Sequence, residues 1–187
     1  MSNPAFAQLI YASPLRWVIM LAPLALVFFL SFRIHSMSVS TAQTTFWGYA
    51  ALLGVSLSST FLVYTGASIT QTFFITATTF GAMSLYGYTT KKDISSWGSF
   101  LFMGLIGIII ASIVNIFMAS SALSFAISII GVLVFTGLTA YDTQKIKESY
   151  YEGDDSDTAG RKAIIGALEL YLDFINLFLM ILRLLGN

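Results

Sequence analysis

Two aspartates stand where aspartates are costly. Asp142 follows Ala140-Tyr141 at the end of a long apolar segment whose helical pattern continues through Lys145-Ile146 to Glu148. Asp173 lies in Leu170-Tyr171-Leu172-Asp173-Phe174-Ile175-Asn176-Leu177-Phe178, a run otherwise apolar apart from Asn176. A charge inside such a segment is a functional candidate by default. Their spacing makes them a pair. The polar run Glu148 to Lys162 separates the two segments, which fold back on each other as an antiparallel hairpin. The midpoint between the aspartates falls at Asp157–Thr158, inside that run. Equal distance from the turn sets both carboxylates at a similar depth, several helical turns from the end. Two carboxylates held close in low dielectric cannot both ionise cheaply, so one proton tends to be shared. Such a pair is a proton sensor or an acid–base pair. In the alternative reading each Asp bonds a neighbouring Ser, Thr or backbone group on its own.

Other residues qualify this pair. Glu169 lies four residues before Asp173, on the same helical face. It either widens the acidic cluster or sits in interfacial water. Asn176, three residues after Asp173, is placed to donate a hydrogen bond to it. Arg33 closes the first apolar segment on the same side as the pair. It either snorkels to head groups or reaches inward and favours the charged form of the aspartates. Asn115 is isolated and expected to bond helix to helix. Thr70, Thr72, Thr76, Thr78, Thr79, Gly81 and Ser84 make one segment rich in small polar residues. Close helix packing explains them better than a hydrated path does, and Gly104, Gly107, Gly131 and Gly137 read the same way. His35 is expected to be exposed in a loop. The run Glu152–Asp157 lacks the spacing of an EF-hand and reads as a solvated loop.

The elements that hold these residues follow from composition. Of 187 residues, 57% are hydrophobic and 10% charged, against roughly 45–50% and about 25% in soluble domains. Disorder is excluded by that balance. With no cysteine and one histidine, thiol chemistry, cysteine–zinc sites and histidine triads have no residues to use. Nine basic residues balance nine acidic ones, so no basic field exists for nucleic acid. So few charges cannot cover a water-facing surface, and the chain is read as an integral membrane protein. A spanning helix needs about 20 mostly apolar residues. Six segments meet that measure: 15–32, 44–64, 69–88, 97–118, 122–141 and 163–185. Alternating barrel strands are not seen, so the expectation is an all-α, polytopic helix bundle in one transmembrane domain. Met1 to Pro14 is too short in apolar length to span, and no signal peptide is read there. Arg33, Lys91, Lys92, Lys145, Lys147, Arg161 and Lys162 fall on one side, leaving Arg16 and Arg183 on the other. The positive-inside rule assigns the charged loops to the cytoplasm and the C-terminus to the outer side.

Three stretches carry a resemblance. Phe80-Gly81-Ala82-Met83-Ser84-Leu85-Tyr86-Gly87-Tyr88-Thr89-Thr90-Lys91-Lys92-Asp93-Ile94-Ser95, Ala140-Tyr141-Asp142-Thr143-Gln144-Lys145-Ile146-Lys147 and Leu170 to Phe178 resemble the Bax inhibitor-1 family, also called the transmembrane Bax inhibitor motif family. The bacterial members are the most similar, and the resemblance runs from Leu15 onward. It implies a seven-helix fold with a cytoplasmic N-terminus. The six segments then correspond to helices two to seven, with the family's first helix missing. It also implies a bacterial inner (plasma) membrane protein acting as a pH-sensitive calcium or cation leak. Asp142 and Asp173 match the family's paired-aspartate sensor, and Arg33 matches the arginine that latches the pair closed. No family role carries over to Glu169.

The resulting expectation is a passive leak gated by protonation of the pair, with calcium as the permeant ion and no cofactor. Calcium takes about six to eight oxygens, so two aspartates hold it weakly and let it leave. The partners are then the lipid bilayer, calcium ions and protons. An alternative is a regulatory protein that binds other membrane proteins, such as a membrane protease or cell-death proteins. An intramembrane aspartyl protease is the remaining rival. Tyr141-Asp142 fits it, but the Gly-x-Gly-Asp context of such enzymes is absent around Asp173, and no enzyme activity is expected.

Overall fold

The computed structural model describes residues 14, 29–30, 32–58 and 60–187. Its described residues are helical, with no strand. A short 3-10 turn at Ile34–Ser36 leads to α1 (Val39–Leu57), the one-turn α2 (Thr60–Val63), α3 (Gly66–Thr89), α4 (Trp97–Met118), α5 (Ser121–Ser149) and α6 (Ser156–Leu185). Most of the expected segment 15–32 lies outside the described residues. The segment 97–118 coincides with α4. The segment 44–64 is helical but starts earlier, because Ser38 caps α1 by accepting from the Thr41 N–H at 3.2 Å. It also breaks after Leu57 before resuming as α2. Thr65 and Ser120 cap α3 and α5 in the same way.

The polar run Glu148 to Lys162 is a loop only over residues 150–155. Helix α5 continues to Ser149, as its pattern suggested, and α6 begins seven residues before the expected Ala163. Asp155 explains the early start. Its Oδ1 accepts the Thr158 N–H at 2.6 Å, which satisfies a donor that the first helical turn leaves open. That bond also holds the Asp155 carboxyl below its ordinary range.

Among the described residues, four stretches are long and apolar enough to cross a membrane: Val39–Val63, Trp97–Met118, Ser121–Ser149 and Ser156–Leu185. Helix α3 is 24 residues long, about 36 Å at about 1.5 Å per residue. It is interrupted by polar threonines at 70, 72, 76, 78 and 79. They do not leave hydroxyls unpaired in an apolar setting. Thr76, Thr78 and Thr79 each donate to the carbonyl four residues earlier in α3.

Contacts gather the chain into two compact units: residues 1–63 with 154–165, and residues 64–153 with 166–187. In the first, Gly160 abuts Val39, the Arg161 Nε donates to the Met37 carbonyl at 3.0 Å, and Lys162 pairs with Asp154 at 2.6 Å. In the second, the core joins Ile108 of α4, Ile127, Val134 and Phe135 of α5, and Leu177, Met180 and Ile181 of α6. Glycines let the backbones close in. A Cβ on Gly87 of α3 would run into the Ala140 carbonyl of α5, and one on Gly131 would meet the Met180 side chain at 2.8 Å. Gly104 and Gly137 sit equally close to Val134 and Leu101, whereas Gly81 and Gly107 face open space. Asn115 ties α4 to α5: its Nδ2 donates to the Ser124 hydroxyl at 2.6 Å and its Oδ1 accepts the Ser120 N–H at 2.9 Å. Between them Ala119 takes a left-handed conformation, φ 49°.

Candidate functional site

Three consecutive residues of α5 each face a different neighbour, because successive helical positions are about 100° apart. Gln144 faces the loop between α3 and α4. Its Oε1 accepts the Ile94 N–H and its Nε2 donates to the Lys92 carbonyl, both at 2.9 Å. Thr143 faces α3. Its hydroxyl donates to the Thr139 carbonyl at 2.7 Å, so at the 3.0 Å contact with Ser84 the serine is the donor. Asp142 faces an open cavity of about 600 Å³ lined by α4, α5 and α6. Around this residue α5 is anchored on two other sides.

Asp173 of α6 lines the same cavity. Both aspartates are buried, 8% and 5% exposed. The two carboxyl groups lie within hydrogen-bonding reach of each other. The hairpin reading of the sequence is thereby met: two residues 31 positions apart share one pocket. Asp173 Oδ2 is buried and meets no hydrogen-bond donor. A charged carboxylate only accepts, so two charged neighbours offer each other nothing. A proton on either one turns repulsion into a hydrogen bond.

Glu169 also lines the cavity, one turn before Asp173. Its Oε1 accepts from Lys145 Nζ at 2.8 Å, while its Oε2 is buried without a partner. The same Lys145 Nζ stands 4.0 Å from Asp142 Oδ1. Of the two readings of Glu169, the structure favours membership of the cluster over isolation in water. Asn176 lines the cavity too, but its Nδ2 donates to the Leu172 carbonyl of its own helix at 2.8 Å. The expected bond from this amide to Asp173 is not made. A carbonyl four residues back in the same helix is always within reach, and it competes for a side-chain donor.

Two members of the site were not singled out from sequence. Lys145 was counted only among the charged-loop residues. Its position three residues after Asp142, on the same face, was the available signal. Gln144 carried no signal, because its partners are backbone atoms 50 and 52 residues away. Arg33 and His35 are exposed, beside the 3-10 turn of the other compact unit. Among the described residues no group of three or more His, Asp or Glu side chains is arranged to hold a metal ion. The arrangement can move a proton between carboxylates and can attract a cation to a pocket with more acids than bases. The wall from α4 and the residue just before it, at Ser95, Gly98 and Ser99, adds no charge.

Several known proteins are similar to this chain. A protein of Rickettsia prowazekii, itself uncharacterized, is 57% identical over 172 residues, 91% of this chain and 72% of its own length. The inner membrane protein YbhL of Escherichia coli K12 is 56% identical over 171 residues, 90% of this chain and 73% of its own. A membrane protein of Streptococcus pyogenes is 42% identical over 139 residues, 74% of this chain and 60% of its own. The family model described as inhibitor of apoptosis-promoting Bax1 matches residues 1–187. With helices of membrane-crossing length and this match over its whole length, the chain belongs to the Bax inhibitor-1 family of membrane proteins.

Proposed function

We propose that the chain is a proton-gated cation leak of a bacterial inner membrane, with calcium as the permeant ion and no enzymatic step. The observation that carries this reading is the Asp142–Asp173 pair, buried in one cavity with Asp173 Oδ2 lacking a donor. One proton between the two carboxyls supplies that donor. Losing it leaves two buried like charges in contact, which favours any state that separates or hydrates them. Proton uptake and release therefore bias two conformations of the hairpin. Weak attraction rather than tight coordination suits a leak. Calcium takes about six to eight oxygens, and a site that holds it lightly also releases it. The membrane setting is supported by the relative named as an inner membrane protein. Arg33 is assigned the latch in this reading, engaging the pair when both carboxylates are charged.

The test is calcium flux through proteoliposomes of the full chain across pH 5 to 8. Wild-type flux is expected to change with pH, and Asp142→Asn and Asp173→Asn are each expected to flatten that dependence. Arg33→Gln is expected to shift the pH of half-maximal flux. Unchanged flux and pH dependence in both aspartate variants would remove the pair as the sensor.

A further inference from the structure

Beyond the aspartates, the cavity is a groove with a charged mouth and apolar walls. Lys145 of α5 and Glu169 of α6 hold the mouth, each about one helical turn nearer the α5–α6 loop than its aspartate. Ser95 and Ser99 stand at the same end, where α4 begins. Farther along, the walls are Phe102 and Leu105 of α4 and Phe135 and Leu138 of α5. We infer that the groove seats one phospholipid with a zwitterionic headgroup ending in a primary amine. Its phosphate takes Lys145, its ammonium takes Glu169, and one acyl chain lies along the apolar walls. The inference needs the membrane setting but not the leak reading.

The mouth offers both signs of charge. Lys145 Nζ donates to Glu169 Oε1 at 2.8 Å, which uses one of the three donors of an ammonium. The Lys145 side chain is 49% exposed, so its other donors are within reach of a ligand in the groove. Glu169 Oε2 is buried without a partner, a cost that a donor arriving through the groove removes. A headgroup with a phosphate and an amine meets both needs at once. A glycerol headgroup brings the phosphate and leaves Glu169 unanswered. A choline headgroup brings a positive charge with no N–H to donate.

The groove also has the dimensions of a lipid tail. Lys145 and Phe135 are ten positions apart on α5, about 15 Å at about 1.5 Å per residue. One leaflet is half of a hydrocarbon core about 30 Å thick. The volume of about 600 Å³ lies within the roughly 300–1,000 Å³ of ligand cavities, so this is a carved site rather than a flat contact with bulk lipid. Phe102 lines the groove and is still 61% exposed. The α4 side therefore opens on the outward apolar surface, and a lipid enters sideways without crossing water. The polar residues deeper in are engaged with the protein itself. Asn176 donates to the Leu172 carbonyl, and the two aspartates face each other.

Lipid titration into the full chain in detergent micelles, read by native mass spectrometry, tests the inference. The probes are phosphatidylethanolamine, phosphatidylglycerol and phosphatidylcholine with identical acyl chains. One phosphatidylethanolamine is expected to bind roughly tenfold tighter than either of the others, the worth of a charge-assisted hydrogen bond. Glu169→Gln is expected to erase that preference, and Lys145→Gln to weaken all three lipids. Ser99→Trp fills the mouth from an exposed position and is expected to remove the site. Phe117→Trp, at an outward position 86% exposed, should bind as wild type. Equal binding of the three lipids by wild type means a bulk lipid annulus only and overturns the inference. A folded Glu169→Gln that keeps the preference overturns it too. Should Ser99→Trp not fold, the wild-type comparison decides alone. Lipid selection by a chain that passes no calcium in proteoliposomes removes the leak and leaves the lipid seat. Calcium flux without lipid selection removes the seat alone.

Discussion

Gln144 shows how much a single side chain holds in place beside Asp142. It is buried at 6% exposure, and both ends of its amide bond to the backbone of the α3–α4 loop. Replacing it with alanine leaves the Ile94 N–H and the Lys92 carbonyl without these partners. A buried polar group left unsatisfied costs about 1–3 kcal/mol, so Gln144→Ala is expected to lower stability by that order in thermal unfolding in detergent. Gln144→Glu sets a carboxylate oxygen against the Lys92 carbonyl and buries a charge, and is expected to cost at least as much. Full wild-type stability for the alanine variant would mean water replaces the amide at no cost. At the same scale, the aspartates divide the labour among their neighbours. Asp142 has the Lys145 ammonium at 4.0 Å, and Asp173 has a buried oxygen without a hydrogen-bond partner. The pair is asymmetric, so Asp142→Asn and Asp173→Asn need not flatten a pH response equally.

The helices meet most closely where side chains are smallest. Gly87 of α3 lies against the Ala140 backbone of α5, two residues before Asp142, so no side chain fits there without moving a helix. Gly87→Leu must separate the two helices or distort them. Overpacking costs typically about 1–3 kcal/mol, and here the obstruction is rigid backbone, so the upper end or beyond is expected. Gly107→Leu, whose site faces open space, is the control and should unfold as wild type. If both variants matched wild type in thermal melts, the close approach of α3 and α5 would be unimportant to stability. The hydroxyls of α3 tell the same story from the other side. Thr76 bonds to its own helix at 2.7 Å and is fully buried. It packs as an apolar residue of its size would, which is how a threonine-rich helix can sit among apolar neighbours.

Over the molecule as a whole, large apolar side chains face outward. On α4, Phe100, Phe102, Ile109, Ile116 and Phe117 are all at least half exposed. On α5, Phe125, Ile130 and Leu133 are as well. Soluble monomers rarely carry contiguous apolar surface of this kind, and a bilayer is the solvent that removes the cost. The basic residues expected on one side make a topology prediction. The chain has no cysteine, so one introduced cysteine reports its own location. Glu152→Cys, in the loop between α5 and α6, should resist a membrane-impermeant maleimide in intact cells and react after permeabilisation. Labelling in intact cells would reverse the orientation drawn from the positive-inside rule.

Much of this protein is legible in its order of residues. Apolar length marks a membrane protein, the bounds of α4 follow from its apolar run, and equal spacing about a polar turn pairs Asp142 with Asp173. Those features are local or nearly so: hydrophobic length and helical period belong to the chain itself. The early start of α6 is hidden in the sequence because the cap at Asp155 sits inside an acidic run that resembles a loop. What the tertiary structure alone decided lies between helices. It brought Glu169 and Lys145 into the cluster, turned Asn176 to its own helix, and joined Gln144 to backbone 50 and 52 positions behind it. Such contacts depend on how far each helix rotates about its axis, and that angle is set by packing, at places like Gly87 and Ala140, rather than by the pattern of either helix taken singly.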